Sequence, residues 1–221
     1  STACKVQAQI GADHAVAFDM NAACSGFLYG LHVADAFFKS GIYKNALVIG
    51  AESLSKIVDW TDRGTCVLFG DGAGAAFLTA SEEGGILSQS VGSNGEKWEV
   101  LSCPKGGYLQ MNGQEVFKFA VRTVPQCVED ALEKADLKAD DVDVFLLHQA
   151  NVRIIQSVAK RLGQPEEKFP MNMNECGNTS AASLPILMAQ LDEQGRFHQG
   201  DKVVLSGFGA GLTWGATLVR W

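Results

Sequence analysis

Proline is scarce in this chain, five residues in 221, while glycine is abundant at 24. That balance suits an α/β protein with many tight turns. Positive charge is also in deficit. Lys and Arg total 18 against 25 Asp and Glu, for a net charge of −7, which excludes general nucleic-acid binding because that needs a basic footprint. No apolar run approaches the ~20 residues of a membrane span, so no membrane partner is expected. The six cysteines, at 4, 24, 66, 103, 127 and 176, form no C-x-x-C pair, and no histidine falls at zinc-finger spacing. No metal site is therefore expected. A chain of this length does not need disulfides, and reduced thiols in a reducing compartment are the expectation. The opening Ser1-Thr2-Ala3-Cys4-Lys5 lacks the layout of a signal peptide. It also lacks an initiator Met, so the chain is expected to begin partway through a longer protein.

Apolar residues make up 47% of the chain, enough for a sizeable core in one large domain or two small ones. The stretch that organises the rest is Asp19-Met20-Asn21-Ala22-Ala23-Cys24-Ser25-Gly26-Phe27. An apolar run of strand type, residues 14–19, precedes it, and a buried helix over 25–40 follows, stopped by Gly41. Cys24 thus stands where a strand hands over to a helix. There the unpaired N–H groups and the helix dipole favour a thiolate, which is the nucleophilic form. A small buried apolar cysteine is the competing reading.

Further along, 45–50 reads as a strand buried on both faces, and 59–65 as a polar loop able to carry binding residues. Phe69-Gly70-Asp71-Gly72-Ala73-Gly74 lacks the Lys-Ser/Thr of a phosphate loop and leads into a strand, so its glycines point to close backbone packing. A helix from Gln114 to about Ala135 is expected to kink or split at Pro125. The buried strand 143–147 ends at His148. Helix 151–162 carries an apolar stripe, with Arg153, Lys160 and Arg161 mostly on its other side, either a solvated face or a docking surface. A helix opening at 174–180 runs to about Gln194 with Pro185 inside it, and strands at 202–207 and 213–221 flank a glycine-rich turn.

The two ends of the chain echo each other in the order of their elements, which points to two related α/β halves. The echo places Cys24 and Asn178 at equivalent helix starts. Together, Cys24, His148 and Asn178 form an acyl-transfer pattern. His and Asn, neither of them a strong base in this setting, suit the stabilisation of an oxyanion or enolate. Gly209 and Ala210 could add a backbone N–H.

Five segments then carry a resemblance: Ala22-Ala23-Cys24-Ser25-Gly26-Phe27, Asp62-Arg63-Gly64-Thr65, His148-Gln149-Ala150-Asn151, the run 177–183 beginning Gly177-Asn178-Thr179-Ser180, and 207–215 beginning Gly207-Phe208-Gly209-Ala210. Across essentially its whole length the chain resembles the β-ketoacyl-[acyl carrier protein] synthase III family. The resemblance implies a thiolase-like fold, a five-layered αβαβα sandwich of two similar halves. The first half is expected to be incomplete here, because the resemblance implies an N-terminal segment that these residues do not include. The halves are expected at 1–92, with the nucleophile, and 93–221, with His148, Asn178 and the glycine-rich turn.

The resemblance also implies roles. Cys24 would take an acyl primer from acyl-CoA. His148 and Asn178 would promote decarboxylation of malonyl-[acyl carrier protein] and hold the enolate. The N–H groups of Cys24 and Gly209 would form the oxyanion hole, with Phe208 as the active-site aromatic. Arg63, Gly113 and Asn151 would contact CoA and pantetheine, and Leu68 and Phe69 would border the primer pocket. Lys118, Arg153, Lys160 and Arg161 would dock the acidic carrier protein by local field in spite of the net charge. No cofactor is implied beyond the CoA thioester and phosphopantetheine carried by the substrates. A homodimer is implied, in a bacterial cytoplasm or plastid stroma. Two alternatives remain at this point. One is a polyketide-type condensing enzyme, which usually has Pro where Ala210 stands. The other is an inactive truncated chain acting only as a partner subunit.

Overall fold

Two main sheets hold the strands, and two helices fill the space between them. The computed structural model describes residues 1–221. In chain order the elements are α1 (Thr2–Gln9), α2 (Gly26–Lys39), β1 (Asn45–Ser53), β2 (Asp71–Thr79), β3 (Gly85–Ser93), β4 (Leu101–Ser102), β5 (Gln110–Met111), α3 (Gly113–Lys134), β6 (Val144–Leu147), α4 (Val152–Arg161), α5 (Met173–Cys176), α6 (Ser183–Glu193), β7 (Lys202–Gly209) and β8 (Thr213–Arg220). β1 and β2 pair antiparallel, β3–β8–β7–β6 form a four-stranded sheet in that order, and β4–β5 make a small pair.

Side-chain alternation along the central strands sets the layering. Val144, Leu146, Val203 and Leu205 face Phe27, Leu28 and Leu31 of α2 and Leu184, Leu187 and Leu191 of α6. Their neighbours Phe145, Leu147, Val204 and Phe208 face the opposite way, into a core with α3 and α4. On its other side α2 lies so close to β1 that a Cβ on Gly30 would come 2.6 Å from Val48 Cγ1. α6 lies against β2 in the same way, where a Cβ on Gly74 would come 2.8 Å from the Ile186 nitrogen. Close backbone packing is thus what the glycines of 70–74 serve. The layers run β1–β2, then α2 and α6, then the four-stranded sheet, then α3 with α4. No helix covers the outer face of β1–β2, where Leu47, Ile49 and Phe77 are exposed. β1 is therefore one-faced, not buried on both faces.

Three further expectations change. Residues 14–19 form no strand, and Val16 and Phe18 are exposed; no strand within these 221 residues lies beside them to complete a ladder. β3 pairs with β8 from Gly85 to Ser93, so this strand of the expected first half joins the sheet that holds β6 and β7. Pro125 does not split α3, which is continuous over 22 residues. The carbonyl that Pro125 cannot serve is that of Val121, and Arg161 Nη1 donates to it at 3.2 Å. The segment 174–194 is two helices, broken at Gly177 with φ +66. Pro185 lies in the first turn of α6, where no intrahelical N–H bond is lost.

The echo between the halves has a definite register, a constant separation of 157 residues. Asn21 Oδ1 accepts from Ala23 N and Asn178 Oδ1 from Ser180 N, each at 2.9 Å. Ala23 and Ser180 both take left-handed backbone, at φ +48 and +50. Short 3-10 turns follow at 23–25 and 180–182, helices begin at 26 and 183, and strands begin at 45 and 202. The counterpart of Asn178 is thus Asn21, and that of Cys24 is Ala181. This corrects the pairing of Cys24 with Asn178.

Candidate active site

Cys24 is the middle residue of the 3-10 turn that opens α2. A left-handed alanine ahead of it costs about 1–3 kcal/mol, so the turn must be held from several sides. Asn21 caps it as described, and the Thr213 hydroxyl donates to Ala22 O at 2.9 Å. The end of β7 presses against it. A Cβ on Gly209 would lie 2.6 Å from the Cys24 nitrogen and 3.2 Å from its Cβ. Glycine is the only residue that lets the two backbones approach this closely.

Cys24 is 8% exposed. Burial pushes its thiol up to about 11, the Ser180 side chain pulls it down, the charge of Glu52 raises it, and its own backbone N–H lowers it. The expectation of a standing thiolate is therefore not met at rest, because desolvation outweighs the stabilisation that the helix start provides.

His148 is the first residue beyond β6 and extends its ladder, its N–H donating to Ser206 O at 2.8 Å. The ring is 3% exposed and packs edge-on to Phe208, with centroids 5.7 Å apart. Its Nδ1 lies 2.7 Å from the Ser183 hydroxyl. A Cβ on Gly207 would come 2.9 Å from the His148 Cβ. Burial drives the imidazole pKa from 6.5 down to about 4, so the ring is neutral at pH 7. A depressed folded-state pKa contributes stability above the unfolded value that is lost as pH falls through the folded one. Unfolding by urea should accordingly become easier between pH 6.5 and about 4, by roughly 3 kcal/mol at the lower end. Denaturant titrations across that range should show the fall, and a His148→Gln variant should show a flatter profile.

Asn178 is pinned by its backbone. Its N–H donates to Leu68 O at 2.8 Å, and its carbonyl accepts from Gly70 N at 2.9 Å, bridging Phe69. With Oδ1 committed to Ser180 N, the amide NH2 is the side chain's free donor. The three residues converge on the C-terminal end of β7. Gly209 touches Cys24, Gly207 and Phe208 touch His148, and the turn 178–183 brings Asn178, Ser180 and Ser183 to the same place. A nucleophile, a neutral ring N–H and an amide N–H around one strand end can perform acyl transfer through an oxyanion.

The remaining expected residues divide. Leu68 and Phe69 are half-buried, and their backbone clamps Asn178. Asn151 caps α4, its Oδ1 accepting from Arg153 N at 2.8 Å, and Gly113 opens α3. Arg63 is exposed in the loop after Asp62. Lys118, Arg153, Lys160 and Arg161 are exposed on two helices that pack together. Lys118 is paired with Glu115 at 2.9 Å, and Arg161 serves the Val121 carbonyl. Arg153 and Lys160 have no ion-pair partner.

Sequence reasoning passed over Asn21, Glu52, Ser180 and Ser183. Burial raises the pKa of the Glu52 carboxyl, while Ala181 N–H and Ser180 lower it. The available signal was the pair Asn21-Ala22-Ala23-Cys24 and Asn178-Thr179-Ser180-Ala181, two Asn-headed turns at one spacing.

Comparison with known proteins gives a consistent picture. Residues 18–95 match the family described as 3-oxoacyl-[acyl-carrier-protein (ACP)] synthase III, and residues 132–221 match its C-terminal domain. A beta-ketoacyl-[acyl-carrier-protein] synthase III of Clostridium tetani is 47% identical over 243 residues, covering all of this chain and 73% of the relative. The crystal structure of 3-oxoacyl-[acyl-carrier-protein] synthase III from Aquifex aeolicus superposes with a TM-score of 0.98 at 50% identity, covering all of this chain and 72% of that one. A priming beta-ketosynthase of a polyketide biosynthetic pathway superposes with a TM-score of 0.92 at 35% identity, covering 98% of this chain and 69% of that one.

Proposed function

Because this chain belongs to the 3-oxoacyl-[acyl-carrier-protein] synthase III family, condensing acyltransferases of thiolase-like fold, we propose that it joins an acyl primer from acyl-CoA to malonyl-[acyl carrier protein] at the start of fatty acid synthesis. The observation that carries this reading is the convergence of Cys24, His148 and Asn178 on the end of β7, with Gly209 in contact with the Cys24 backbone.

The Cys24 sulfur attacks the thioester carbonyl of acyl-CoA. The negative charge that develops on oxygen is met by the N–H groups of Cys24 and Gly209. The tetrahedral species collapses to an acyl-Cys24 thioester, and the thiol proton leaves on the CoA sulfur. A thiol held near 11 at rest suits this order, since the proton departs only as substrate displaces water and charge passes to the carbonyl.

Malonyl-[acyl carrier protein] then enters, and its thioester oxygen takes hydrogen bonds from His148 and the Asn178 amide. Loss of CO2 leaves an enolate on that oxygen. A neutral imidazole and an amide stabilise it by donation without having to accept a proton. The enolate carbon attacks the acyl-Cys24 carbonyl and forms the new C–C bond. The Cys24 thiolate is expelled and takes up one proton.

Arg63, Gly113 and Asn151 line the approach of CoA and pantetheine in this reading, and Leu68 and Phe69 border the primer. Arg153 and Lys160, the two cations without an internal partner, take the larger share of carrier docking, assisted by Lys118 and Arg161. The substrates bring the only cofactors, CoA and phosphopantetheine. We place the working enzyme as a homodimer. No helix is long and apolar enough to cross a membrane. The relatives are bacterial, which favours the bacterial cytoplasm over the plastid stroma.

Mass spectrometry after incubation with acetyl-CoA, with peptide mapping, tests the reading. One acetyl group on the peptide bearing Cys24, discharged by malonyl-carrier protein with release of CO2, is the expected outcome. Folded protein that takes no acyl group from acetyl-, branched- or longer acyl-CoA, or takes it on another cysteine, would refute the assignment.

A further inference from the structure

The contact between His148 and Ser183 settles which ring nitrogen carries the proton. Ser183 is the first residue of α6 and is 2% exposed. Its hydroxyl oxygen lies 2.7 Å from His148 Nδ1 and also receives the Gln149 backbone N–H at 3.4 Å. No carbonyl or carboxylate accepts from that hydroxyl, so His148 Nδ1 is the one acceptor within its reach. If Nδ1 carried the proton, two N–H groups would aim at one oxygen, and a buried O–H would be left with nothing to donate to. Buried donors are almost always satisfied. The arrangement that satisfies every group has Gln149 N–H donating to Ser183 Oγ and Ser183 O–H donating to an unprotonated Nδ1. The single ring proton then lies on Nε2, which has no hydrogen-bond partner within the protein.

We propose that Ser183 is a positioning residue that fixes His148 as the Nε2–H tautomer, so that the imidazole meets the substrate only as a hydrogen-bond donor. This rests on the reading of His148 as an enolate stabiliser, and it deepens that reading. With Nδ1 occupied by a donor and Nε2 already protonated, the ring holds no free lone pair with which to act as a base towards Cys24. The thiol proton must therefore reach the CoA sulfur by another route. The fold explains why the serine is there. Ser183 in α6 is the counterpart of Gly26 in α2, at the common separation of 157 residues. The half that carries Cys24 thus has no hydroxyl at this place. The half that carries Asn178 has one, beside the histidine.

Long-range 1H–15N spectra of the intact protein labelled with 15N at histidine decide the matter, with the His148 signals assigned by their loss in His148→Gln. The expected result is an unprotonated Nδ1 and a protonated Nε2 at pH 7. In Ser183→Ala both nitrogens should move towards the averaged shifts of a ring exchanging between tautomers, and malonyl decarboxylation should fall about threefold to tenfold, the size of one buried neutral hydrogen bond. Ser183→Thr keeps the hydroxyl and should restore the wild-type shifts. A protonated Nδ1 in the wild-type protein, or unchanged shifts in Ser183→Ala, overturns the proposal. Should Ser183→Ala not fold, the wild-type spectrum decides alone. A protein with the Nε2–H tautomer but no decarboxylation of malonyl-carrier protein would defeat the condensing function and leave the tautomer assignment standing.

Discussion

Cys24→Ala should abolish acyl transfer from acyl-CoA, lowering condensation roughly 10^4- to 10^6-fold, the size of effect expected when a covalent nucleophile is removed. The variant should keep its fold, because the turn around residue 24 is held by Asn21, Thr213 and the end of β7 and not by the sulfur. Decarboxylation of malonyl-carrier protein provides the contrast. His148 and Asn178 are untouched in Cys24→Ala, so CO2 release should persist with no C–C bond formed. Parallel assays of radiolabelled CO2 and of 3-oxoacyl product would show the two activities come apart. Loss of both together in a folded variant would mean that the cysteine serves the decarboxylating site as well, against a division of labour between Cys24 and the His148–Asn178 pair.

Gly209→Ala should have the second largest effect. The added Cβ would stand 2.6 Å from the Cys24 nitrogen, a distance that no side-chain rotation relieves because the backbone fixes the position of a Cβ and the nitrogen is itself a backbone atom. The Cys24 turn and the end of β7 must part. With them goes the alignment of the two N–H groups assigned to the developing oxyanion in the proposed reaction. Removing one such donor costs about 10^2- to 10^3-fold in turnover, and acylation of Cys24 should fall by that order in single-turnover mass spectrometry. The overpacking should cost about 1–3 kcal/mol of stability, read as a Tm lower by roughly 2–10 °C. An unchanged acylation rate with a lowered Tm would show that the Gly209 N–H plays no part in the chemistry.

Much of this was legible from residues alone because the signals are local. The helix that follows Cys24, the buried strand leading to His148 and the glycine-rich turn at 207–211 follow from apolar runs broken by small residues. The elements appear nearly where the patterns place them, as at α2 (Gly26–Lys39), β6 (Val144–Leu147) and α4 (Val152–Arg161). Local rules fail where a distant partner decides. Residues 14–19 have strand composition but no neighbouring strand. Pro125 should break a helix but does not, because Arg161, 36 positions further on, donates to the carbonyl left over. Arg161 itself reads as a free surface cation and is partly committed to that bond.

The sequence by itself determined the family and the order of elements, and it supplied Cys24, His148 and Asn178 as the proposed catalytic set, since each lies in a short contiguous segment whose residue types are constrained by backbone geometry and chemistry. Only the tertiary structure decided the protonation states and the true correspondence between the halves. Burial takes the Cys24 thiol up to about 11 and the His148 imidazole down to about 4. Desolvation is a sum over everything packed around a group, and no short stretch of sequence contains it. The hydroxyl of Ser183 on His148 Nδ1 depends likewise on atoms brought together from distant positions, while the matching of Asn21 to Asn178 shows in the backbone of two separate turns.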